Sequence, residues 1–96
     1  MTNIERTEEE MNGRWTLSKD GKEIGKMQYR WLNKSKFDIF HTDVDQEYEG
    51  EGYGKKLLQE AVQYARENQK KISATCSFAK GVLESDSSYT DVYEKN

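Results

Sequence analysis

The chain has 96 residues, of which 33% are hydrophobic and 34% charged, and this length suits one small domain with a single core. Its formal charge of −3 argues against a nucleic-acid surface, and no apolar run approaches the roughly 18 residues of a membrane span. The sequence also has no N-terminal apolar run, so we predict a cytoplasmic protein. One cysteine, Cys76, and one histidine, His41, are too few for a disulfide framework or a structural zinc site, so we predict no metal.

The N-terminal segment, residues 1–12, is polar and includes three consecutive glutamates. It offers few apolar side chains whose burial would offset the entropy lost on ordering. We therefore expect a flexible N-terminus, followed by a single domain over residues 13–96.

Short β-type runs begin after this segment. The first, Trp15 to Lys19, is followed by a hairpin turn at Asp20-Gly21 and by a second run from Glu23 to Trp31. A polar turn leads to a third run, Phe37 to Val44, whose alternation predicts Phe37, Ile39 and His41 on one face. These runs predict a three-stranded antiparallel meander.

The second half of the chain has helical periodicity. Apolar residues from Lys55 to Lys70 recur at helical spacing, and the short β-prone run from Lys71 to Cys76 follows. Together with the preceding strand they predict a right-handed β-α-β unit. Phe78 to Glu84 is compatible with a second short helix, whereas residues 85–96 give no clear prediction. The fold class is therefore α+β, with a mixed sheet.

The most informative motif lies between the third strand and the first helix. It reads Glu49-Gly50-Glu51-Gly52-Tyr53-Gly54-Lys55, with three glycines in five residues. Glycines permit positive φ and close approach of a ligand, so amide groups at the start of a helix can converge on a phosphate. The spacing fits neither a Walker A loop nor a dinucleotide-binding fingerprint. The alternative is that the glycines only form a tight turn.

This motif resembles the coenzyme A-binding motif of GNAT acetyltransferases, R/Q-x-x-G-x-G/A, with Gly52 and Gly54 as the matching glycines. The wider pattern resembles the small YjdJ-type subgroup in three segments, His41 to Val44, Tyr64 to Asn68 and Cys76 to Lys80. Glu49 stands where the family usually has Arg or Gln, so only main-chain contacts carry over.

The resemblance implies a sheet splayed to admit acetyl-coenzyme A as cosubstrate, and an unidentified amine as acceptor. The pantetheine arm would lie between the strands and bind main-chain groups of Thr42, Asp43 and Val44. The phosphates would bind at the glycine turn. The implied cofactor-binding residues there are Glu49, Gly50, Glu51, Gly52, Tyr53, Gly54 and Lys55.

Two side chains are candidates for the chemistry. His41 is the only group whose ordinary pKa suits a general base near neutrality, and the Cys76 thiolate would be a nucleophile that accepts the acetyl group. The alternatives are a strand histidine bonded to a carbonyl and a small buried cysteine without a catalytic role. Two functions therefore stay open, namely a minimal N-acetyltransferase and a non-catalytic module that binds or senses acyl-coenzyme A.

Overall fold

A computed structural model describes residues 1–95 and contains one mixed sheet. The elements are β1 (Thr2–Glu9), β2 (Asn12–Lys19), β3 (Lys22–Asn33), β4 (Lys36–Val44), α1 (Tyr53–Glu67), β5 (Lys71–Ala74) and α2 (Ser77–Ser85), with short 3-10 turns at Gln46–Tyr48 and Ser87–Tyr89. The strands lie in the order β1-β2-β3-β4-β5, the first four antiparallel and β5 parallel to β4. The predicted meander, β-α-β unit and short C-terminal helix are confirmed.

Strand β1 is an addition to the predicted sheet, because residues 1–12 were expected to be flexible. It pairs with β2 along its whole length. The Glu8 carboxylate accepts hydrogen bonds from the Tyr29 hydroxyl at 2.7 Å and the Trp31 indole N–H at 2.8 Å. Burial opposes ionisation of Glu8, but these hydrogen bonds outweigh it and lower the pKa of the carboxyl. Polar contacts to distant strands therefore hold the segment in place.

The core lies between α1 and one face of the sheet. Trp15 of β2 stacks near Tyr29 of β3, with 4.5 Å between the ring centroids, and Phe37 of β4 lies 5.1 Å from Tyr29. The fully buried face of α1 packs over these rings, and its members are Leu57, Leu58, Ala61, Val62 and Ala65. Neither helix in residues 1–95 is long and apolar enough to cross a membrane.

A β-bulge in β4 changes which side chains face α1. Tyr29 pairs with Ile39 and Gln28 with His41, so Phe40 is an extra residue without a partner on β3. Beyond the bulge the alternation is reversed, and His41 is exposed while Thr42 is half-buried. The prediction that His41 shares the face of Phe37 and Ile39 is therefore wrong, because simple alternation assumed an unbroken strand.

Strands β4 and β5 separate halfway along β4. Their ladder runs from Lys36↔Lys71 to Ile39↔Ala74, and the amides of Thr75 and Cys76 then both donate to the Ile39 carbonyl. From this point β4 pairs only with β3, while the chain after β5 turns into α2. A gap thus opens between the end of β4 and the start of α2.

The C-terminal tail runs along the other side of β5. The Ile72 amide donates to the Val92 carbonyl and the Glu94 amide donates to the Ile72 carbonyl, each at 2.8 Å. The tail therefore covers the outer edge of the sheet. The sequence of residues 85–96 gave no prediction of this placement. Asn96 lies outside the described residues.

A buried polar cluster stands just before the separation of β4 and β5. The Asp38 side chain is 1% exposed and accepts hydrogen bonds from the Ser73 and Thr75 hydroxyls, each at 2.8 Å. These bonds tie β4 to the end of β5, so they fix the place where the gap begins.

Replacement of the cluster's acceptor should destabilise the fold. We expect Asp38→Ala to lower the free energy of unfolding by about 2–4 kcal/mol, because two hydroxyl donors lose their partner and a small void forms. Urea denaturation followed by circular dichroism measures this change. Asp43→Ala, an exposed aspartate on the same strand, is the control and should shift stability by less than about 0.5 kcal/mol. Equal losses in the two variants would contradict a structural role for the cluster.

Candidate functional site

The glycine turn leads directly into the N-terminus of α1. Gly50 and Gly52 have φ of +83° and +81°, in the left-handed region that disfavours side chains. Gly52 is the N-cap residue, and within residues 1–95 no side chain caps the N-terminus of this helix. The Lys56 amide makes the first intrahelical hydrogen bond, to the Gly52 carbonyl at 3.1 Å. The preceding amides of the first turn therefore point outward with the positive end of the helix dipole.

A cavity of about 450 Å³ lies where the end of β4, the glycine turn and the start of α2 meet. Its lining residues are Thr42, Val44, Tyr48, Glu49, Gly50, Gly52, Tyr53, Gly54, Lys55 and Phe78. The walls are largely apolar and aromatic, and Phe78 remains 40% exposed against them. The helix amides supply donors at one side of this apolar space, so the cavity suits a molecule with an anionic group and a less polar arm.

Gly54 allows α1 and α2 to approach each other at the cavity. A Cβ atom at this position would lie 3.1 Å from the Phe78 ring, which is tighter than most side-chain contacts. The absence of a side chain at Gly54 therefore places the aromatic ring of α2 directly against the first turn of α1.

The bulge in β4 also sets the direction of its main-chain groups. The Ile39 carbonyl faces β5, as shown by its two hydrogen bonds from that side, whereas the Asp45 amide donates to Ile24 of β3 at 2.7 Å. Because direction alternates along a strand, the amides and carbonyls of Thr42 and Val44 point into the gap. Within residues 1–95, the gap is thus edged by peptide groups that no strand pairs on this side, and these groups can bind an extended amide-containing chain.

The structure gathers most of the sequence-predicted cofactor residues around this cavity. Eight line it, namely Thr42, Val44, Glu49, Gly50, Gly52, Tyr53, Gly54 and Lys55. Asp43 and Glu51 are exposed and do not line it. Asp43 follows the reversed alternation of β4, which directs its side chain to the opposite face of the sheet.

The two chemical candidates lie in different surroundings. Cys76 is the half-buried N-cap residue of α2, and its Sγ donates a hydrogen bond to Thr42 Oγ1 at 3.3 Å. His41 is exposed and leaves β4 on the face opposite Thr42. Among residues 1–95, no hydrogen bond joins His41 to Cys76. The structure thus pairs the thiol with a hydroxyl group, which sequence reasoning did not identify.

Two aromatic lining residues were also missed by sequence reasoning. Tyr48 lies in the 3-10 turn before the glycines and packs edge-on against Tyr53, with 6.2 Å between ring centroids. Phe78 contacts Gly54 from α2. The position of Tyr48 just before the glycine-rich turn could have indicated a lining residue. Phe78 reaches the turn only through the packing of α2 against α1, which the sequence does not show.

Comparison with models of known protein families identifies the family of this chain. A family model described as GCN5-related N-acetyl-transferase matches residues 14–92. The chain belongs to this GNAT family. A search of curated proteins gave no match.

Solved structures support the same assignment. This GNAT chain is 39% identical to a GCN5-like protein from Staphylococcus aureus solved by NMR, with a TM-score of 0.75 over 100% of this chain and 93% of that one. A GNAT acetyltransferase from Elizabethkingia anophelis with acetyl-CoA bound is 12% identical, with a TM-score of 0.65 over 74% of this chain and 62% of that one. The ribosomal-protein-S18-alanine N-acetyltransferase of Escherichia coli is 16% identical, with a TM-score of 0.65 over 71% and 61%. The last two share the fold, and this chain spans about three-fifths of their length.

Proposed function

We propose that this GNAT chain binds acetyl-coenzyme A in the cavity and transfers the acetyl group to an amine, with Cys76 as an intermediate acceptor. The observation that carries the proposal is the meeting of three features: free amides at the start of α1, an apolar cavity, and the unpaired edge of β4. Each matches one part of the cosubstrate. The acetyl-CoA bound to the E. anophelis protein, which shares the fold, supports the same ligand here.

Each part of the ligand has a suitable place. The pyrophosphate would accept hydrogen bonds from the amides that follow Gly52, where the helix dipole favours negative charge. The amide groups of the pantetheine arm would pair with the open peptide groups of Thr42 and Val44. This arrangement directs the thioester toward the end of the gap, where Cys76 contacts Thr42.

The transfer would proceed in two steps through a thioester on Cys76. The thiol loses its proton and the sulfur attacks the acetyl carbonyl, so that a new C–S bond forms and coenzyme A leaves as a thiolate that takes up a proton. An amine then attacks the acetyl-Cys76 carbonyl, loses a proton and releases the free thiol. His41 is proposed as the base for the amine, because it lies on the open face from which an acceptor can approach.

The second candidate function is a non-catalytic module that binds acyl-coenzyme A. One observation favours it: the chain spans only 62% and 61% of the two larger acetyltransferases with the same fold. Within residues 1–95, neither α1 nor α2 covers the face of the sheet that carries His41 and Asp43. On this reading the ligand binds at the same cavity and no acetyl group is transferred.

A residue-resolved NMR titration tests the binding step common to both functions. We expect saturable shifts at Gly50 to Lys55 and at Thr42 to Val44 with either acetyl-coenzyme A or free coenzyme A. A larger response of Cys76 to the acetylated ligand would favour transfer over simple binding. The β1–β2 turn at Glu10-Met11 lies outside the cavity lining and gives an internal reference. Spectra unchanged at millimolar ligand would refute both functions.

A further inference from the structure

Two lysines and two tyrosines form a cluster at the mouth of the cavity. Lys19 Nζ lies 5.2 Å from the ring centroid of Tyr48 and 5.9 Å from that of Tyr53, while Lys56 Nζ lies 5.5 Å from the Tyr53 centroid. These separations are within the range of cation–π attraction. We call these four residues the lysine–tyrosine cluster.

The cluster lies at the opposite end of the cavity from Cys76. Leu17 pairs with Gly25, which pairs with Val44, so the three residues stand at one level across the sheet. Strands β2 and β4 run in the same direction, so Lys19 is two residues beyond this level and Thr42 is two residues before it. Four residues of strand correspond to about 13 Å. The thiol and the ammonium group therefore mark two separate ends of the site.

The positive charges of the cluster have no ion-pair partner among residues 1–95. Lys22, on the other side of the same hairpin turn, is paired with Glu47 at 3.3 Å, whereas no salt bridge involves Lys19 or Lys56. Lys19 is half-buried, and the neighbouring Tyr53 side chain raises the pKa of its ammonium group. A lysine held in this way loses less side-chain entropy on binding an anion than a free surface lysine does.

The carboxylates of the turn limit which anions can bind here. Glu49 lines the cavity and Glu51 lies close enough to interact with Lys19. A dianion at this mouth would be repelled by the glutamates unless fixed cations faced it. The lysines of the cluster supply such cations beside Tyr48 and Tyr53, which line the cavity.

We propose that Lys19, together with Lys56, binds the 3′-phosphate of coenzyme A, so that this chain discriminates coenzyme A from its 3′-dephospho form. The inference rests on the proposed function. With the thioester at Cys76 and the pyrophosphate on the amides of α1, the adenosine half of the ligand leaves the cavity past Tyr48 and Tyr53. Its phosphate then meets the ammonium groups, as charge complementarity requires.

The test combines protein variants with two ligands. Coenzyme A and 3′-dephospho-coenzyme A are titrated by calorimetry into the unmodified chain and into Lys19→Met, Lys19→Arg and Lys22→Met. We expect the unmodified chain to prefer coenzyme A by about three- to tenfold at low salt, the range of one or two partly exposed ion pairs. Lys19→Met should abolish most of this preference without weakening the dephospho form. Lys19→Arg and the control Lys22→Met should keep it.

The outcomes separate this inference from the function on which it rests. Equal affinity of the unmodified chain for both ligands would overturn the phosphate site and leave the proposed function intact. Equal weakening of both ligands by Lys19→Met would overturn it too, since Lys19 would then act on the pyrophosphate or through Tyr53. If neither ligand binds the unmodified chain, both the inference and the proposed function fail.

Discussion

Cys76→Ala should abolish the acetyl adduct that forms when the chain is incubated with acetyl-coenzyme A. Cys76 is the only thiol in the sequence and lies at the end of the gap that would receive the thioester. The variant keeps the glycine turn, the cavity lining and the edge of β4. It should therefore bind acetyl-coenzyme A with nearly unchanged affinity while losing the adduct completely, which separates the chemical step from binding.

Intact-mass spectrometry under acidic denaturing conditions measures the adduct. Treatment with neutral hydroxylamine identifies its bond, because hydroxylamine cleaves a thioester and leaves an acetyl amide in place. An adduct of the same yield in Cys76→Ala, or one that resists hydroxylamine in the unmodified chain, would place the acetyl group on an amine. Cys76 would then have no part in the transfer.

Thr42 provides a graded control for the same experiment. Thr42→Val keeps the thiol and the main-chain groups of β4 but removes the hydroxyl that contacts Sγ at 3.3 Å. Once the thiol has lost its proton, the Thr42 hydroxyl would donate to the Cys76 thiolate instead of accepting from the thiol. A hydrogen bond to a charged group contributes about 1.5–3 kcal/mol, so adduct formation in Thr42→Val should slow by roughly tenfold or more. Thr42→Ser should restore most of the rate. A rate unaffected by Thr42→Val would mean that the Thr42 hydroxyl does not stabilise the thiolate.

The secondary structure of the second half of the chain could be predicted from sequence, because it depends on patterns of neighbouring residues. Helical spacing of apolar residues from Lys55 onward identified α1, and the glycines identified the turn before it. The predicted cofactor-binding residues also lie close together in the structure, since eight of the ten line one cavity. A short contiguous motif at a strand-to-helix junction needs little tertiary information to be placed.

The remaining features depend on contacts that are distant in sequence. Strand β1 is polar, and its Glu8 is held by Tyr29 and Trp31, which lie 21 and 23 residues away. The tail pairs with Ile72 through main-chain groups, which leave no pattern in side-chain type. The bulge at Phe40 is likewise invisible to an alternation rule, and it moved His41 to the exposed face.

The same bulge explains why the pairing of His41 with Cys76 could not be judged from sequence. In an unbroken strand, Phe37, Ile39 and His41 would share the face that packs against α1. One inserted residue reverses every later position, so the cavity receives the Thr42 side chain instead. The hydroxyl next to the thiol is therefore a consequence of strand register.

Gly52→Ala should weaken the binding of acetyl-coenzyme A by about tenfold or more. Gly52 is the N-cap of α1 with φ of +81°, and an alanine there strains the backbone at about 1–2 kcal/mol. The chain can relieve this strain only by rotating the peptide groups that begin the helix. Those amides are the proposed donors to the pyrophosphate, so the loss of their alignment removes two or more hydrogen bonds to a charged group.

Gly21→Ala is the matched control for this substitution. Gly21 has φ of +83° in the β2–β3 turn, and no atom of the described residues 1–95 lies within 4 Å of a Cβ added at Gly21 or Gly52. Both variants should therefore lose similar unfolding free energy, about 1 kcal/mol by urea denaturation, from the same backbone strain. Calorimetric titration with acetyl-coenzyme A should then show reduced affinity in Gly52→Ala alone. Equal affinities in the two variants would mean that the glycine turn is only a turn, and the site of binding would have to be sought elsewhere on the chain.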